Sequence, residues 1–524
     1  MFVVRPVIDR HVAFSSFRLS ILLGLAAYCF VFSSNAIEAS DFLTPNQASR
    51  LGLVETWQRQ ITLPAGASSI VDQQLYVHSN LVREYVEVVR TSDQESDRRD
   101  VLLRIPTDRM DLSGNEIGKE EAERLARNEV RRFKRRGIEA EITSSQVPIV
   151  RLYTLGDDGT VESRDAETGE VVWMVRVGER RYKYLGMGVG DEYATIINGG
   201  NVIELDVNNG EETASVAVVN MPIYGALQIE DYSIFATIRN GIEAYSLSQP
   251  ERVPFRETVV GQALAIPTRA PQSNKLGWAT DREFFYCMEA SGVPSVLFRL
   301  KTDGIVSGRV AAASGDRFYF GSEAGQIYGV RGTRSGEVMW SKPYGEPFYD
   351  TPIIAGKYVL IRSAFGNLLS LDMETGVTNW QRPSTSIDEL LGMIQGKVFA
   401  TSLTGSLVVL DLATGERIAT MNEIRPSRVL INPMTDRLYL VGASGYVQCL
   451  RSEDAVMPSF QEAYQAKVDD QQDANKDEKK KSEKKSGLDA PGFGTPAADP
   501  FGGEAADPFG GGGADPFGGD PFGN

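Results

Sequence analysis

The chain has 524 residues, of which 42% are hydrophobic, and a formal net charge of −16 at pH 7. This length and composition allow a large core or several domains. The acidic balance argues against a nucleic-acid-binding protein, because such proteins use a basic surface to displace counterions from the phosphates.

The N-terminal segment resembles an export signal. Arg5, Arg10 and Arg18 precede an apolar run at 19–32, and small residues after that run offer cleavage sites. The run is shorter than the about 20 residues that a membrane-spanning helix needs. We therefore predict a cleaved signal peptide over 1–39 and a location in the periplasm or cell envelope. An uncleaved signal anchor is the alternative.

An insertion interrupts the first strand-like unit between the runs at 75–78 and 151–153. Its polar stretch, 91–100, is followed by a helical pattern at 118–136, in which apolar residues recur on one face. Carboxylates crowd the start of this helix and cations its end, which suits the helix dipole. We predict an amphipathic helix packed on the rim of the main domain, within an insertion spanning 92–148. The alternative is a docking element for an anionic partner or lipid headgroup, with the cations Arg131, Arg132, Lys134 and Arg135.

A repeated phrase dominates the region after the insertion. Asp-Ala-Glu-Thr-Gly at 165–169, followed by Trp173, returns as Asp-Met-Glu-Thr-Gly at 372–376, followed by Trp380. Adjoining copies have their glycines 39 to 41 residues apart, so one structural unit is copied several times. Asp is expected to bond the turn backbone, Gly to supply a positive φ, and Trp to fill the gap between sheets. The positions with this structural role are Trp57, Asp165, Gly169, Trp173, Asp206, Gly210, Gly336, Trp340, Asp372, Gly376, Trp380, Asp411 and Gly415.

Each copy has the pattern of four strands, and the incomplete ends complement each other. The segment at 53–61 is a lone strand carrying Trp57, whereas the last unit, at 438–450, lacks its fourth strand. The fold predicted for 50–455 is therefore all-β. It is an eight-bladed β-propeller of four-stranded blades, closed when the N-terminal strand joins the last blade. An open β-solenoid is the alternative, but it would need capping units instead of complementary halves.

At these phrases the chain resembles the PQQ-like (pyrrolo-quinoline quinone) β-propeller repeat family, and 165–173 is a good match to its repeat. The family includes quinoprotein dehydrogenases and the outer-membrane assembly factor BamB, which is closer in character. The likeness to BamB implies a non-enzymatic protein–protein interaction scaffold, with a role in outer-membrane protein assembly. The quinoprotein dehydrogenases imply a cofactor held between a tryptophan and a disulfide of adjacent cysteines, with calcium beside it.

The residues that such chemistry needs are scarce. His78 is the only histidine after residue 39, and a lone histidine in a strand is usually structural. Cys287 and Cys449 lie in separate apolar runs, which predicts two buried thiols and no disulfide framework. We name no catalytic residue, expect no metal or cofactor, and favour a protein that is not an enzyme. A PQQ-dependent dehydrogenase with calcium, or a ligand-sensing propeller, is the alternative.

The C-terminal region has a composition that cannot form a core. Charged and amide residues dominate its first part, and Asp-Pro-Phe-Gly then recurs at 499, 507, 515 and 520. We predict a disordered charged linker and repeat tail over 466–524. The tail is either an inert low-complexity segment or a set of weak anchors that act together. Those anchors would be Phe501, Phe509, Phe517 and Phe522.

The expected partners follow from these features. We predict a monomer that binds envelope proteins or peptides and does not bind nucleic acid. Association with a membrane surface through the basic helix end is left open.

Overall fold

The computed structural model describes residues 40–63, 65–91, 101–111, 113–422, 424–455 and 457–460. The predicted signal peptide, most of the polar stretch at 91–100, and the predicted tail lie outside these residues. Phe501, Phe509, Phe517 and Phe522 are therefore outside the described part of the chain. Among the described residues, no helix is both long enough and apolar enough to span a membrane.

Within the described residues the chain forms eight antiparallel sheets, which we number along the chain. Sheet 1 contains β2 (Ile70–Arg90), β3 (Val101–Pro106), β4 (Ala140–Gly156), β5 (Thr160–Asp165) and β6 (Val171–Arg176). Its strands pair in the order β3-β2-β4-β5-β6, so the sheet has one strand more than the predicted four.

Sheets 2 to 5 each have four strands that pair in chain order. Sheet 2 contains β7 (Tyr184–Val189), β8 (Tyr193–Asn198), β9 (Asn201–Asp206) and β10 (Glu212–Ala217). Sheet 3 contains β11 (Leu227–Ile229), β12 (Tyr232–Thr237), β13 (Gly241–Ser246) and β14 (Phe255–Thr258). Sheet 4 contains β15 (Thr268–Arg269), β16 (Lys275–Thr280), β17 (Phe284–Glu289) and β18 (Ser295–Lys301). Sheet 5 contains β19 (Ala311–Ala313), β20 (Arg317–Gly321), β21 (Gln326–Arg331) and β22 (Glu337–Pro343).

The remaining sheets include the two chain ends of the described part. Sheet 6 contains β23 (Ile353–Ala355), β24 (Tyr358–Arg362) and β25 (Leu368–Asp372). Sheet 7 contains β26 (Ile387–Ile394), β27 (Lys397–Ser402), β28 (Leu407–Asp411) and β29 (Arg417–Met421). Sheet 8 contains β30 (Arg428–Leu430), β31 (Arg437–Val441), β32 (Tyr446–Ser452) and the N-terminal β1 (Leu53–Gln60).

Apolar side chains between neighbouring sheets stabilise this arrangement. The second strand β12 is buried along its whole length, which is typical of a sheet packed between two others. The outermost strand β10, by contrast, alternates exposed and partly buried residues. A hydrophobic cluster lies between each consecutive pair of sheets. A further cluster, which contains Trp57, Leu75 and Tyr439, joins sheet 8 to sheet 1.

The N-terminal strand pairs with the C-terminal part of the described chain. β1 runs antiparallel to β32, with Trp57 opposite Cys449. The short helix α1 (Pro45–Arg50) precedes β1, is capped by Thr44, and packs Ala48 into the cluster between sheets 7 and 8. A 3-10 turn, Gly66–Ser69, then leads into β2. The two ends of the described chain thus form one sheet.

Sheet 6 departs from the predicted four-stranded unit. The segment at 377–380 was expected to be its fourth strand, but it forms only an isolated bridge to β25 at Thr378. The chain meets β25 again at Ser384. Pro383 lies between these bridges and has no backbone N–H to donate to a ladder. Between the two bridges β25 advances three residues and the facing segment six, so the pairing is irregular and the ladder of sheet 6 ends at β25.

The two longest strands continue beyond sheet 1 and form an arm, defined here as the described residues between 80 and 149. β2 and β4 stay paired as far as Arg90 and Ala140, and β3 pairs with β2 along one edge. The insertion therefore begins before residue 92 and is partly β-sheet, because β2 and β4 of sheet 1 resume their pairing at Val82 after a register shift between Val77 and Val82. This differs from the predicted boundaries of 92–148.

Helix α2 (Gly118–Arg135) covers one face of the arm. Its Ala122 and Ala126 are fully buried against Val86, Val88 and Ile105. A helix is present where the sequence predicts one, but the predicted packing on the rim of the main domain is wrong. The helix covers the arm's own strands, because these strands present an apolar face beside it. The arm thus has a separate hydrophobic core.

Candidate functional site

The repeat phrases form tight turns after the third strands of their sheets. In sheet 1, Asp165 Oδ1 accepts hydrogen bonds from the backbone N–H groups of Glu167 (2.9 Å) and Thr168 (2.8 Å). Gly169 has a φ of +72° and donates its N–H to the Asp165 carbonyl (2.9 Å). Related turns, each with a positive-φ glycine, occur at Asp206 and Gly210, Asp372 and Gly376, and Asp411 and Gly415.

Each repeat tryptophan packs on the turn glycine of the next sheet. The Trp57 indole lies against Gly169 and donates its Nε1–H to the Ala166 carbonyl (2.9 Å). At Gly169, Gly210, Gly376 and Gly415, an added Cβ would lie 2.4 to 2.6 Å from an indole atom, so a larger residue does not fit. The other three contacts join Trp173 to Gly210, Trp340 to Gly376, and Trp380 to Gly415, with 2.7–2.9 Å hydrogen bonds to Val207, Met373 and Leu412. At Gly336, Phe298 occupies the place of the indole.

The turn in sheet 1 also holds the arm. Arg83, in the arm section of β2, contacts Asp165 Oδ2 through Nη2 (2.8 Å). The same guanidinium contacts Asp108 Oδ2 through Nε (2.5 Å). Asp165, assigned from sequence to the turn alone, therefore has a second task as an anchor for the arm.

A buried ion pair joins the same turn to sheet 8. Arg437 is fully buried and donates to Glu167 through Nε (3.1 Å) and Nη2 (2.9 Å). Its Nη1 contacts Asp436 Oδ1 (2.9 Å). Burial raises the pKa of the Glu167 carboxyl, and the Arg437 guanidinium opposes this shift. Because these charges are removed from water, each depends on its partner.

The basic end of α2 lies on the surface of the arm. Arg131, Arg132, Lys134 and Arg135 are all exposed. Arg132 forms an ion pair with Glu129 (2.6 Å), and Arg135 donates to the Arg131 carbonyl. The four cations that sequence reasoning selected as docking residues therefore form one exposed patch at a helix C-terminus, where the helix dipole favours positive charge.

A cavity of about 790 Å³, which we call the central cavity, is enclosed by the first strands of seven sheets. β2, β7, β11, β15, β19, β23 and β30 all contribute to its wall. The turns that follow several of these strands also line it, through Gln272, Ser314, Gly356 and Pro433. Because β2 passes through this wall and continues as the arm, the arm leaves the sheets at the end of the cavity marked by these turns.

The wall of the central cavity carries more cations than carboxylates. Glu374 is paired with Arg317, and Asp372 is occupied by its repeat turn. Arg269 donates to the Ser273 carbonyl (2.7 Å) and to Asn274 Oδ1 (3.4 Å), both of which are neutral. The charged residues of the wall are Arg269, Arg309, Arg317, Lys357, Asp372 and Glu374.

Two glutamines, Gln73 and Gln228, lie at the same wall with buried side-chain oxygens. Gln228 is 5% exposed and donates its Nε2–H to the Thr195 hydroxyl. Within the described residues, the buried Oε1 atoms of Gln73 and Gln228 accept no hydrogen bond. Both oxygens are removed from the space of the cavity, so the groups that the wall presents there are mainly its cations.

Residues 269–419 match the family model described as outer membrane protein assembly factor BamB. The predicted resemblance to the PQQ-like repeat family is confirmed. The matched residues cover most of sheets 4 to 7, in which three of the repeat glycines lie. The all-β class and the mostly four-stranded antiparallel sheets predicted from the sequence are likewise confirmed. Among curated proteins, no match to the chain was found.

The solved structures that match the chain are distant in sequence. BamB from Moraxella catarrhalis is 17% identical, with 58% of this chain and 92% of that chain covered and a TM-score of 0.47. The computationally designed Ika8 protein is 12% identical, with 57% and 92% covered and a TM-score of 0.45. The β-propeller domain of Cps50 (Swd1) from Myceliophteria thermophila is 14% identical, with 57% and 92% covered and a TM-score of 0.38.

The histidine and cysteines occupy structural positions. His78 is fully buried, and its Nε2 lies 2.8 Å from the Tyr153 hydroxyl. Cys287 and Cys449 are free and buried, as predicted. Burial raises the pKa of the Cys287 thiol to about 12 and also raises that of Cys449. In the described part of the chain, no group of three or more His, Cys, Asp or Glu side chains could hold a metal ion.

Sequence reasoning missed Arg83, Arg437 and the residues that line the central cavity. A signal was present for Arg437, because it opens the otherwise apolar strand β31 and a charge in such a strand requires a buried partner. The cavity gives no comparable signal. Its charged residues Arg269 and Arg309 lie outside the repeat phrase, and only the assembled sheets bring them to one wall.

Proposed function

We propose that this protein is a non-enzymatic protein–protein interaction scaffold of the periplasm or cell envelope, with a role in outer-membrane protein assembly. The observation that carries this proposal is the arm. The arm has its own hydrophobic core, which the packing of the sheets does not require, and its helix presents an exposed basic patch. The name of the family model supports the assembly role. The apolar segment at 19–32 supports export.

We infer that the scaffold is one ring of eight blades closed by β1. Three observations support the ring. β1 completes sheet 8 by pairing with β32, and a hydrophobic cluster joins sheet 8 to sheet 1. The buried pair between Arg437 and Glu167 crosses the same interface. A closed ring provides a rigid base for the arm, since no sheet is left with an unpacked face.

The arm is suited to binding an anionic surface on a partner protein. Its position is fixed, because Arg83 joins it to Asp165 and its helix is held by a dedicated core. Its exposed cations are unusual in a chain with a net charge of −16. Rigid, exposed charges of one sign accelerate association with a complementary partner. Anionic lipid headgroups offer the same complementarity, so association of the monomer with a membrane surface belongs to this proposal.

The test is co-purification from envelope extract with the tagged full-length protein. The quadruple variant R131Q, R132Q, K134Q and R135Q should lose at least five-sixths of the recovered partner proteins, because the basic patch is neutralised. The control variant R180Q, R181Q, R239Q and R282Q removes four exposed cations away from the arm and should retain them. An unchanged set of partners in the first variant would contradict the arm's role. Liposomes with anionic lipids distinguish binding to lipid from binding to protein.

We also propose that no quinone cofactor is needed. The quinoprotein dehydrogenases belong to the family that the chain resembles. In them, a tryptophan and a disulfide of adjacent cysteines hold the cofactor. Here neither tryptophan nor cysteine lines the described central cavity. The tryptophan outside the repeat positions, Trp278, is buried and stacks on Tyr286. Adding PQQ with calcium should produce no bound-quinone absorbance and no dye reduction, and either signal would overturn this proposal.

A further inference from the structure

Exposed apolar side chains follow one another across three neighbouring loops between sheets 2, 3 and 4. We call this surface the apolar strip, and its members, which are 43–69% exposed, are Val219, Met221, Ile238 and Val260. The backbone N–H of Ile238 donates to the Met221 carbonyl (3.0 Å), and that of Val259 donates to the Asn240 carbonyl (2.8 Å), so the three loops lie side by side. Contiguous exposed apolar side chains mark binding surfaces.

The apolar strip and the arm lie at opposite ends of the sheets. Val219 and Met221 precede β11 and Val260 precedes β15, so the strip lies at the end where first strands begin. The arm instead follows the section of β2 that belongs to sheet 1. First strands of neighbouring sheets run the same way, as the parallel bridge between Gly392 and Asn432 shows for sheets 7 and 8. The strip is therefore a surface separate from the arm's basic patch.

Two exposed cations border the apolar strip. Arg239 directly follows Ile238, and Arg282 lies in the loop beside Val260. Neither forms an ion pair with another of the described residues. The carboxylate next to Arg282 is Asp281, which already accepts the backbone N–H of Gln262 (2.8 Å). The strip thus combines apolar surface with positive charge, which favours a ligand that carries both apolar side chains and carboxylates.

A second group of exposed apolar side chains lies at the same end of the sheets but has acidic surroundings. Its members, Tyr349, Phe365 and Leu403, belong to loops of sheets 6 and 7. Asp350 follows Tyr349, and burial together with the nearby Asp388 carboxylate raises the pKa of the Asp350 carboxyl. An acidic ligand is therefore favoured at the apolar strip and repelled at this second group.

The C-terminal repeats have the chemistry that the apolar strip selects. Residues 487–524 contain six carboxylates and no lysine or arginine, and each Asp-Pro-Phe-Gly places a carboxylate two residues before a phenylalanine. The ring offers a large apolar surface, and the carboxylate can accept charge-assisted hydrogen bonds from arginine.

The chain between the last described residue and the repeats is long enough to reach the strip. The 38 residues 461–498 separate Phe460 from Asp499. Fully extended, such a segment spans about 130 Å, whereas a compact domain of this size has a radius of gyration of about 21 Å. The repeats can therefore reach either end of the sheets.

We propose that the Asp-Pro-Phe-Gly repeats bind the apolar strip of the same chain. Their phenylalanine rings cover the exposed apolar side chains, and their aspartates lie beside Arg239 and Arg282. Because several copies share one tether, each bound copy raises the local concentration of the others, and weak single contacts suffice. This contact is independent of the proposed scaffold function. It shields an apolar surface that would otherwise face solvent and other molecules.

The experiment is photo-crosslinking within the full-length protein, with p-benzoylphenylalanine in place of Phe509. Mass spectrometry should place most crosslinks in the loops 218–226, 238–240 and 259–267. Crosslinks spread evenly over the surface, or concentrated at Phe365 and Leu403, would overturn the proposal. A mixture of isotopically labelled and unlabelled chains should give crosslinks within one chain. Crosslinks mainly between labelled and unlabelled chains would overturn the assignment to the same chain.

Variants test the apolar side chains and the cations separately. V219S with I238S should lower the yield of strip crosslinks at least fivefold while Met221 remains as an acceptor. The matched control F365S with L403S should leave that yield unchanged, and equal losses in the two pairs would contradict the strip. R239Q with R282Q should lower the yield at least threefold, and no loss would contradict the role of charge. All these side chains are exposed, and circular dichroism establishes that each variant folds.

The same variants keep this contact distinguishable from the arm's role. The quadruple arm variant should retain the strip crosslinks. Its control variant, which removes Arg239 and Arg282, should lose most of the crosslinks and still capture partner proteins. Arm-dependent capture without strip crosslinks would refute the repeat contact alone, and strip crosslinks without arm-dependent capture would refute the arm's role alone.

Discussion

The turns at 165–169 and 411–415 share a sequence phrase but lie in different surroundings. Both use an aspartate to bond the turn backbone and a positive-φ glycine beneath an indole. The turn at 165–169 also places Glu167 beside the buried Arg437, whereas Ala413 occupies the matching position in the other turn. The glycine–tryptophan contact is thus common to the two interfaces, and the interface between sheets 8 and 1 adds buried charge.

The turn that all the repeats share therefore has fewer requirements than the particular turn at 165–169. A turn that only packs under an indole requires shape, which glycine and tryptophan supply. The turn at 165–169 also carries two carboxylates that need cations beside them. Arg437 pairs with Glu167, and Arg83 pairs with Asp165. Since a buried ion pair is weak evidence for net stabilisation but strongly sensitive to loss of one partner, substitutions should affect the two turns unequally.

The largest effect is expected for R437M. Removing the guanidinium leaves Glu167 and Asp436 without their cation, so the free energy of unfolding should fall by about 3–5 kcal/mol. Chemical denaturation of the full-length protein measures the change. R317M is the matched control at the interface between sheets 5 and 6, where the partner Glu374 is mostly exposed. Its cost should be about 1 kcal/mol or less, because exposed ion pairs contribute little.

A double variant distinguishes lost attraction from lost packing. R437M combined with E167L replaces both charges by apolar groups of similar size. It should recover part of the stability lost in R437M, since no charge of that pair remains without its partner. No recovery would show that the pair is not the cause of the loss.

Much of the fold was predictable because the repeat determines it locally. The spacing of the phrase glycines located the turns, and the alternation of apolar runs located most strands. Sheet 6 was an exception. The segment expected to be its fourth strand, 377–380, forms only an isolated bridge with β25, and the chain meets β25 once more after Pro383. The arm was only half predictable. Its helix has a clear apolar stripe, but the continuation of β2 through 80–90 depends on pairing with β4, which lies far along the chain.

The candidate sites were less accessible to sequence reasoning. The basic patch of α2 could be found because its cations are close in sequence. The central cavity could not, since it depends on side chains from seven sheets meeting at one wall. Arg83 illustrates the same limit, because its partners Asp108 and Asp165 are brought to it by the arm's strands.

The next effect in size tests the glycine–indole contact. G415A forces a Cβ to within 2.4 Å of the Trp380 ring and places alanine at a φ of +75°. Conformational strain and overpacking together should cost about 2–4 kcal/mol. G396A is the control, because Gly396 has a φ of +73° but no atom within 4 Å of its would-be Cβ. Its cost of about 1 kcal/mol isolates the conformational part. Equal costs, measured by thermal unfolding, would contradict the contact.

A smaller effect compares the two tryptophans directly. W380F and W57F each remove an indole N–H that donates to a turn carbonyl, at Leu412 and Ala166 respectively. Each should cost about 1–2 kcal/mol, since an acceptor loses its donor while most of the ring packing remains. Phe298, which packs on Gly336, shows that a phenylalanine ring fits against a turn glycine in this fold. Costs that agree within about 0.5 kcal/mol would show that the indole contact is equivalent at both interfaces. A much larger cost for W57F would show that the interface between sheets 8 and 1 depends more on this residue.

The smallest expected effect is kinetic and uses the two cysteines as reporters. Cys449 lies in the cluster that joins sheets 8 and 1, and Cys287 lies between sheets 4 and 5. Burial raises the pKa of both thiols, so neither should react with a thiol reagent at pH 8 while the protein is folded, and both should react after unfolding. E167Q weakens the pair with Arg437 and should speed labelling of Cys449 without changing that of Cys287. Equal labelling rates in this variant would mean that the interface between sheets 8 and 1 opens only with the whole fold, and that its buried charges stabilise no separate local unit.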